Sequence, residues 1–170
     1  MPPCGRLRLQ ETEGAVILVD SSVLIDFLEG RENSLVSRFI DVLDRGIPFG
    51  ISPITILEVL QGAATEKDFS TLLDYLESQT VYGLIVGLES YAGAAKIFFD
   101  LRRKGMFVRS SMDCLIAQTA IEHGLHLLHS DSDFDRIAQV SSLKVFKIGP
   151  KRGQGIVSPN LRVPSGPRTC

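Results

Sequence analysis

Two kinds of hydrophobic spacing alternate along the chain. Ala15-Val16-Ile17-Leu18-Val19 is a short continuous apolar run, the pattern of a strand buried on both faces. Asp20-Ser21-Ser22 then supplies N-cap chemistry for a helix carrying Val23, Leu24, Ile25, Phe27 and Leu28. Leu35, Val36, Phe39, Ile40 and Leu43 recur at helical spacing and predict a second helix from about Ser34 to Arg45, with Gly46 placed to stop it. Phe49-Gly50-Ile51 reads as a short strand. Ser52-Pro53 opens a helix with proline at its first position, running to about Gly62. Further helices are expected over Lys67–Ser78, Glu89–Lys104, Ser111–Glu122 and Asp133–Val140, and strands over Val81–Val86, Leu125–His129 and Lys144–Ile148. Strands alternating with helices predict an α/β domain around a mostly parallel sheet. Residues 1–14 lack such periodicity and read as a flexible N-terminal extension; residues 149–170, rich in Gly, Pro, Ser, Lys and Arg, read as a flexible C-terminal tail. The folded domain is therefore expected over residues 15–148.

Composition narrows the class only modestly. The 170 residues suit one domain, and at 44% hydrophobic and 22% charged they are ordinary for a soluble globular protein. A net charge of −2 does not mark a general nucleic-acid binder, although a local basic rim is compatible with it. Cys4, Cys114 and Cys170 form no paired framework, which fits a reducing cytoplasm better than secretion. No apolar run is long enough to span a bilayer, so no membrane partner is expected.

Candidate chemistry lies in the placement of the acids. In a parallel sheet, ligands bind beyond the carboxyl ends of the strands. Asp20 directly follows the first strand, and Asp131 follows the apolar pair Leu127-Leu128. Asp113 lies in the first turn of the helix leading into that later strand, on an end that the sequence leaves open. Glu58 interrupts the apolar run Ile54-Thr55-Ile56-Leu57-Glu58-Val59-Leu60, where an acid is costly unless exposed, paired or metal-bound. Taken singly, each acid has a plain structural explanation: an N-cap, a dipole partner, or a residue facing water. Taken together, a shared hard cation accounts for all four.

These segments also resemble a known family. Val16-Ile17-Leu18-Val19-Asp20-Ser21-Ser22-Val23-Leu24-Ile25-Asp26 is similar to the opening motif of PIN domains, and Ile54-Thr55-Ile56-Leu57-Glu58-Val59-Leu60-Gln61-Gly62 to their second. Met112-Asp113-Cys114-Leu115-Ile116-Ala117-Gln118-Thr119-Ala120 resembles the third motif, and the segment from Leu127 to Ala138 the fourth. The match runs in order over roughly residues 15–148, with the VapC toxins of bacterial toxin–antitoxin pairs as the nearest subgroup. The resemblance implies a three-layer α/β/α sandwich and a metal-dependent endoribonuclease using Mg²⁺ or Mn²⁺. Carried over residue by residue, it implies Asp20, Glu58, Asp113 and Asp131 as catalytic acids, with Asp20, Asp113 and Asp131 as metal ligands. Ser21, Ser130 and Asp133 take supporting positions. The implied partners are an RNA substrate, a VapB-type antitoxin and a second copy of the chain.

Carboxylates are hard ligands suited to such ions. His126 and His129 flank Leu127-Leu128 on opposite faces of a strand and make a poor zinc site. Arg102-Arg103-Lys104 and Arg109 are available to hold an RNA backbone, but a basic helix end is also ordinary capping. RNA-contacting residues are not readable at this level. One rival is a haloacid-dehalogenase-type phosphatase, whose motif wants a second acid where Ser22 stands; another is a non-catalytic PIN-like RNA-binding or scaffold module.

Overall fold

A computed structural model describes residues 14–146. The continuous apolar run becomes β1 (Ile17–Val19), central in a four-stranded sheet. It pairs in parallel with β2 (Phe49–Gly50) on one side and with β3 (His126–Leu128) on the other; β4 (Lys144–Val145) lies outside β3, also parallel, giving the order β2-β1-β3-β4. Leu18 stands level with Gly50 and Leu127, so the central strands are in direct register.

Successive side chains of a strand point to opposite faces, and here both faces are apolar. Ile17 and Val19 pack with α1 (Ser21–Leu28), α2 (Ser34–Asp44), α3 (Pro53–Gln61) and α4 (Glu66–Glu77), through Val23, Leu24, Phe39, Val42, Val59 and Leu76. Leu18 points the other way. It joins α5 (Gly87–Arg103), α6 (Ser111–Glu122) and α7 (Ser132–Ala138) through Ile97, Leu101, Ile116, Ala117, Phe134 and Ile137. Leu127 and Leu128 divide between the two cores in the same way. A sheet with both faces apolar and helices on each is a three-layer α/β/α sandwich. Among the described residues, no helix is long and apolar enough to cross a membrane.

The expected strand over Val81–Val86 does not form. Val81 makes a single parallel bridge to Ile51, with Ile51 N–H donating to Thr80 O and Tyr82 N–H to Ile51 O, both at 2.9 Å. Beyond that, side chains take over the backbone donors a ladder would need. Ile85 N–H donates to the Glu122 carboxylate at 2.8 Å, and Val86 N–H to Ser90 Oγ at 2.9 Å. The segment is therefore a loop, and Ile85, Val86 and Leu88 stay exposed. The apolar stripes of the second and fourth helices are largely consumed internally: Phe39 and Leu76 are buried, and Leu35, Leu43 and Leu72 pack against them. Residues 1–13 and 147–170 lie outside the described residues, so the expected flexible ends, and the last residues of the predicted final strand, lie there too.

Candidate active site

β1 ends at Val19, and Asp20 caps the helix that follows. Its Oδ2 accepts hydrogen bonds from Ser22 N at 3.1 Å and from Ser22 Oγ at 2.5 Å, while its own N–H donates to Leu128 O at 3.0 Å. Asp20 thus belongs to the β1–β3 seam and is almost wholly buried. Ser22 Oγ also accepts from Ser130 N at 3.3 Å, joining the end of β1 to the loop after β3. Burial raises the Asp20 pKa above its ordinary value, against the lowering effect of its bonds to Ser22.

Glu58 sits in the second turn of α3. Ser52 caps that helix by accepting from Thr55 N at 3.0 Å, and Thr55 Oγ1 reaches Val19 O at 3.4 Å, which seats the helix start against the end of β1. Glu58 Oε2 then accepts from Ser21 Oγ at 2.5 Å. The half-buried Glu58 is therefore neither a core acid nor a freely solvated one.

On the other side of the cleft, Asp131 caps α7, with Oδ1 accepting from Asp133 N at 2.9 Å and Oδ2 from Arg109 Nη2. Asp133 is fully buried and both its oxygens are engaged. Oδ2 accepts from Arg109 N at 2.9 Å and Nε at 3.2 Å, and Oδ1 accepts from Arg136 Nη1. Burial alone would raise its pKa. The bonds from Arg109 and the charges of Arg109 and Arg136 outweigh that and hold the carboxyl below its usual range.

Asp113 occupies the first turn of α6, a helix that runs back toward the start of β3, so its N-terminus lies at the carboxyl edge of the sheet. Its pKa is pushed up to about 7, first by burial and then by the charges of Asp131, Asp20, Asp133 and Glu58. The acids nominated from the sequence therefore share one electrostatic site. Next to it, burial and Asp113 drive the Cys114 thiol up to about 11, leaving it a packing residue rather than a nucleophile.

Arg136 and Ser22 escaped the sequence reading, and Arg109 entered it only as a possible phosphate contact. A signal was present for the first: Asp133 and Arg136 are three apart on one helix, the spacing of an ion pair. Lys104 Nζ donates to Gln139 O at 3.3 Å and Arg103 lies over the Phe99 ring. His129 is buried against Phe134, its pKa lowered mainly by burial, as befits a neutral core side chain.

The family model for the PIN domain matches residues 17–140, a span containing every one of these acids. The chain belongs to the PIN-domain family. Among curated PIN relatives it is 31% identical over 133 residues to ribonuclease VapC11 of Mycobacterium tuberculosis, covering 76% of this chain and 96% of that one. It is 30% identical over 128 residues to ribonuclease VapC51 of the same organism, covering 73% and 86%. Solved structures agree at the level of fold. VapBC2 from Rickettsia felis, crystallised with a DNA fragment from its promoter, aligns with a TM-score of 0.61 at 16% identity, over 77% of this chain and 97% of that one. FitAcB from Neisseria gonorrhoeae aligns at 0.57 and 22%, over 77% and 96%.

By its donor set the PIN site suits a hard divalent cation, since its acids are carboxylates, and burial together with the charges of the neighbouring acids lifts the Asp113 pKa to about 7. Among the described residues, no three His, Cys, Asp or Glu side chains are grouped so as to hold a metal ion. Hydroxyls and a guanidinium occupy part of the donor set: Ser22 on Asp20, Ser21 on Glu58, Arg109 on Asp131.

Proposed function

We propose that this chain is an endoribonuclease that hydrolyses RNA phosphodiester bonds at Asp20, Glu58, Asp113 and Asp131, and that it is the toxin of a VapBC-type pair. The observation that carries the reading is that Asp20, Glu58, Asp113 and Asp131, from separate elements and each in a PIN-like motif, act on one another at the strand ends, where concentrated negative charge is a poor fit to RNA unless a cation neutralises it. The names of the ribonuclease relatives, aligned over most of their length, support the RNA substrate.

Asp20, Asp113 and Asp131 would hold Mg²⁺ or Mn²⁺, which supplies charge neutralisation and activation of water for attack on phosphorus. Asp20 and Asp131 are positioned by their roles as helix caps, which fix backbone and side chain at once. Ser21 orients Glu58 toward the first acid's helix, and Asp133 serves as the buried anchor for Arg109 and Arg136 rather than as a ligand. Ser130 contributes through its backbone N–H, bonded to Ser22. Water adds to phosphorus, the bond to O3′ breaks, and a proton passes to that oxygen, leaving 5′-phosphate and 3′-hydroxyl ends.

The test is cleavage of single-stranded RNA with added Mn²⁺ or Mg²⁺, against a chelator control. Asp20→Asn, and separately Asp113→Asn, keep the fold and lose roughly 10²–10⁴-fold in rate, the scale on which a positioned catalytic carboxylate acts. Undiminished cleavage by folded Asp20→Asn, or RNA bound but never cut by the wild type, sinks the reading in favour of a non-catalytic module.

A further inference from the structure

The PIN site has a rim that neither the acids nor the metal chemistry explains. The segment between α5 and α6 carries Phe107, 73% exposed, and Arg109, whose side chain is 74% exposed. Large aromatics at that exposure gain nothing by burial, and a loop presenting one freely would ordinarily be mobile. This loop is fixed. Arg109 N and Nε are bound to Asp133, Arg109 Nη2 to Asp131, and Arg136 bridges Asp133 to the Phe107 carbonyl oxygen at 3.5 Å. A wholly buried carboxylate thus holds the segment from both ends, and it lies in the next turn of chain from a catalytic acid.

The guanidinium is only partly used. Of its five N–H donors, two meet carboxylates, and the rest face outward on an exposed side chain. Phe107 lies two residues before Arg109, a stretch of chain that spans at most roughly 7 Å, so the exposed ring and the guanidinium arise from the same short segment. An exposed aromatic two residues from an anchored guanidinium, at the edge of an acidic centre, has the chemistry of a nucleotide subsite. Unpaired bases stack on aromatic side chains, and guanidinium groups take the phosphate.

We infer that Phe107 and Arg109 form the subsite for one nucleotide flanking the scissile bond, with its base stacked on Phe107 and its phosphate held by Arg109. The inference rests on the ribonuclease reading above and assigns its substrate as unpaired RNA. It gives a chain of net charge −2 one anchored cation and one stacking surface with which to engage RNA.

The experiment pairs a protein variant with a substrate variant. A fluorescein-labelled single-stranded RNA of defined cleavage position is made in a series with one abasic residue moved through the positions beside the cut. Binding is read by anisotropy in the inactive Asp20→Asn background, and cleavage in the wild-type background. Phe107→Ala should weaken binding about five- to a hundredfold, the range for loss of one base stack, and raise KM with little change in kcat. Phe107→Trp should restore both. One abasic position should weaken the wild type by a similar factor and leave Phe107→Ala unaffected, a coupling that a merely structural role would not produce. Melting temperature should stay constant, since Phe107 buries almost nothing. If the wild type cuts RNA and Phe107→Ala binds and cuts equally well at every position, the subsite is wrong while the ribonuclease reading stands. Loss of inhibition by a co-expressed antitoxin with RNA binding intact would assign the ring to a protein interface and overturn it as well. No cleavage by the wild type under any metal would remove the reading and the subsite together.

Discussion

Asp113 shows how position rewrites a residue. An exposed Asp ionises far below neutrality, but here burial and four neighbouring acids move the group to about 7. The folded pKa is raised above the unfolded one, so the metal-free native state binds the extra proton. The stability this group contributes is fully present below the ordinary aspartate pKa and is lost as pH rises through about 7. Metal-free protein should therefore melt lower at pH 8 than at pH 6. Asp113→Asn should flatten that profile and raise the pH 8 melting temperature by about 3–6 °C, the equivalent of roughly 1–2 kcal/mol in a domain of this size. Differential scanning calorimetry of both proteins in chelator checks it, and a wild-type profile rising from pH 6 to 8 would contradict the assignment. The acidity of Asp113 was not legible in the sequence, because it depends on Asp20, Glu58, Asp131 and Asp133 arriving from other elements. Its membership of a motif was.

Among the elements, β2 depends on a close approach. A Cβ on Gly50 would meet Thr80 O at 2.5 Å and the Tyr82 ring at 2.6 Å. One of these is backbone and cannot move aside without breaking the Ile51 bridge. Gly50→Ala should cost about 1–3 kcal/mol by overpacking and should open the segment near Val81 to faster amide exchange. Urea denaturation with exchange monitored at Ile51 and Tyr82 reads both effects, and an unchanged midpoint would show that the edge yields more easily than the geometry implies. The same edge explains the missing strand. Apolar residues at Val81–Val86 satisfied the pattern for β structure, but Glu122 from α6 and Ser90 from α5 captured the backbone donors. Local periodicity carries no information about such distant competitors.

At the scale of the whole molecule, five of the exposed apolar residues lie together in sequence: Val81, Ile85, Val86, Leu88 and Tyr91. We place contact between two copies of the chain there. Sedimentation at micromolar concentration should show a dimer that Leu88→Arg dissociates without unfolding, and a neighbouring antitoxin should co-purify and block RNA cleavage. A monomeric wild type that no neighbouring gene product inhibits would refute both expectations.

What the sequence settled by itself were the parts that rest on short-range physics. The continuous run before Asp20 had to be a strand buried on both faces. Ser111–Glu122 was legible as a helix at the bounds it takes, although Ser110 and not Ser111 caps it. Asp20 and Asp131 stood at strand ends where parallel sheets present ligands, and the order of four motifs was enough to suggest the family. Tertiary structure alone decided which end of the sheet Asp113 reached, that Asp133 was an anchor sealed by two arginines, and that Ser22 linked Asp20 to the loop after β3. It also decided that Arg109 turned inward to Asp131 and Asp133 instead of simply decorating a helix end. Each of those outcomes involves at least one contact between residues far apart in the chain. Their strength comes from burial and charge at a meeting point that exists only once both cores have formed around the sheet.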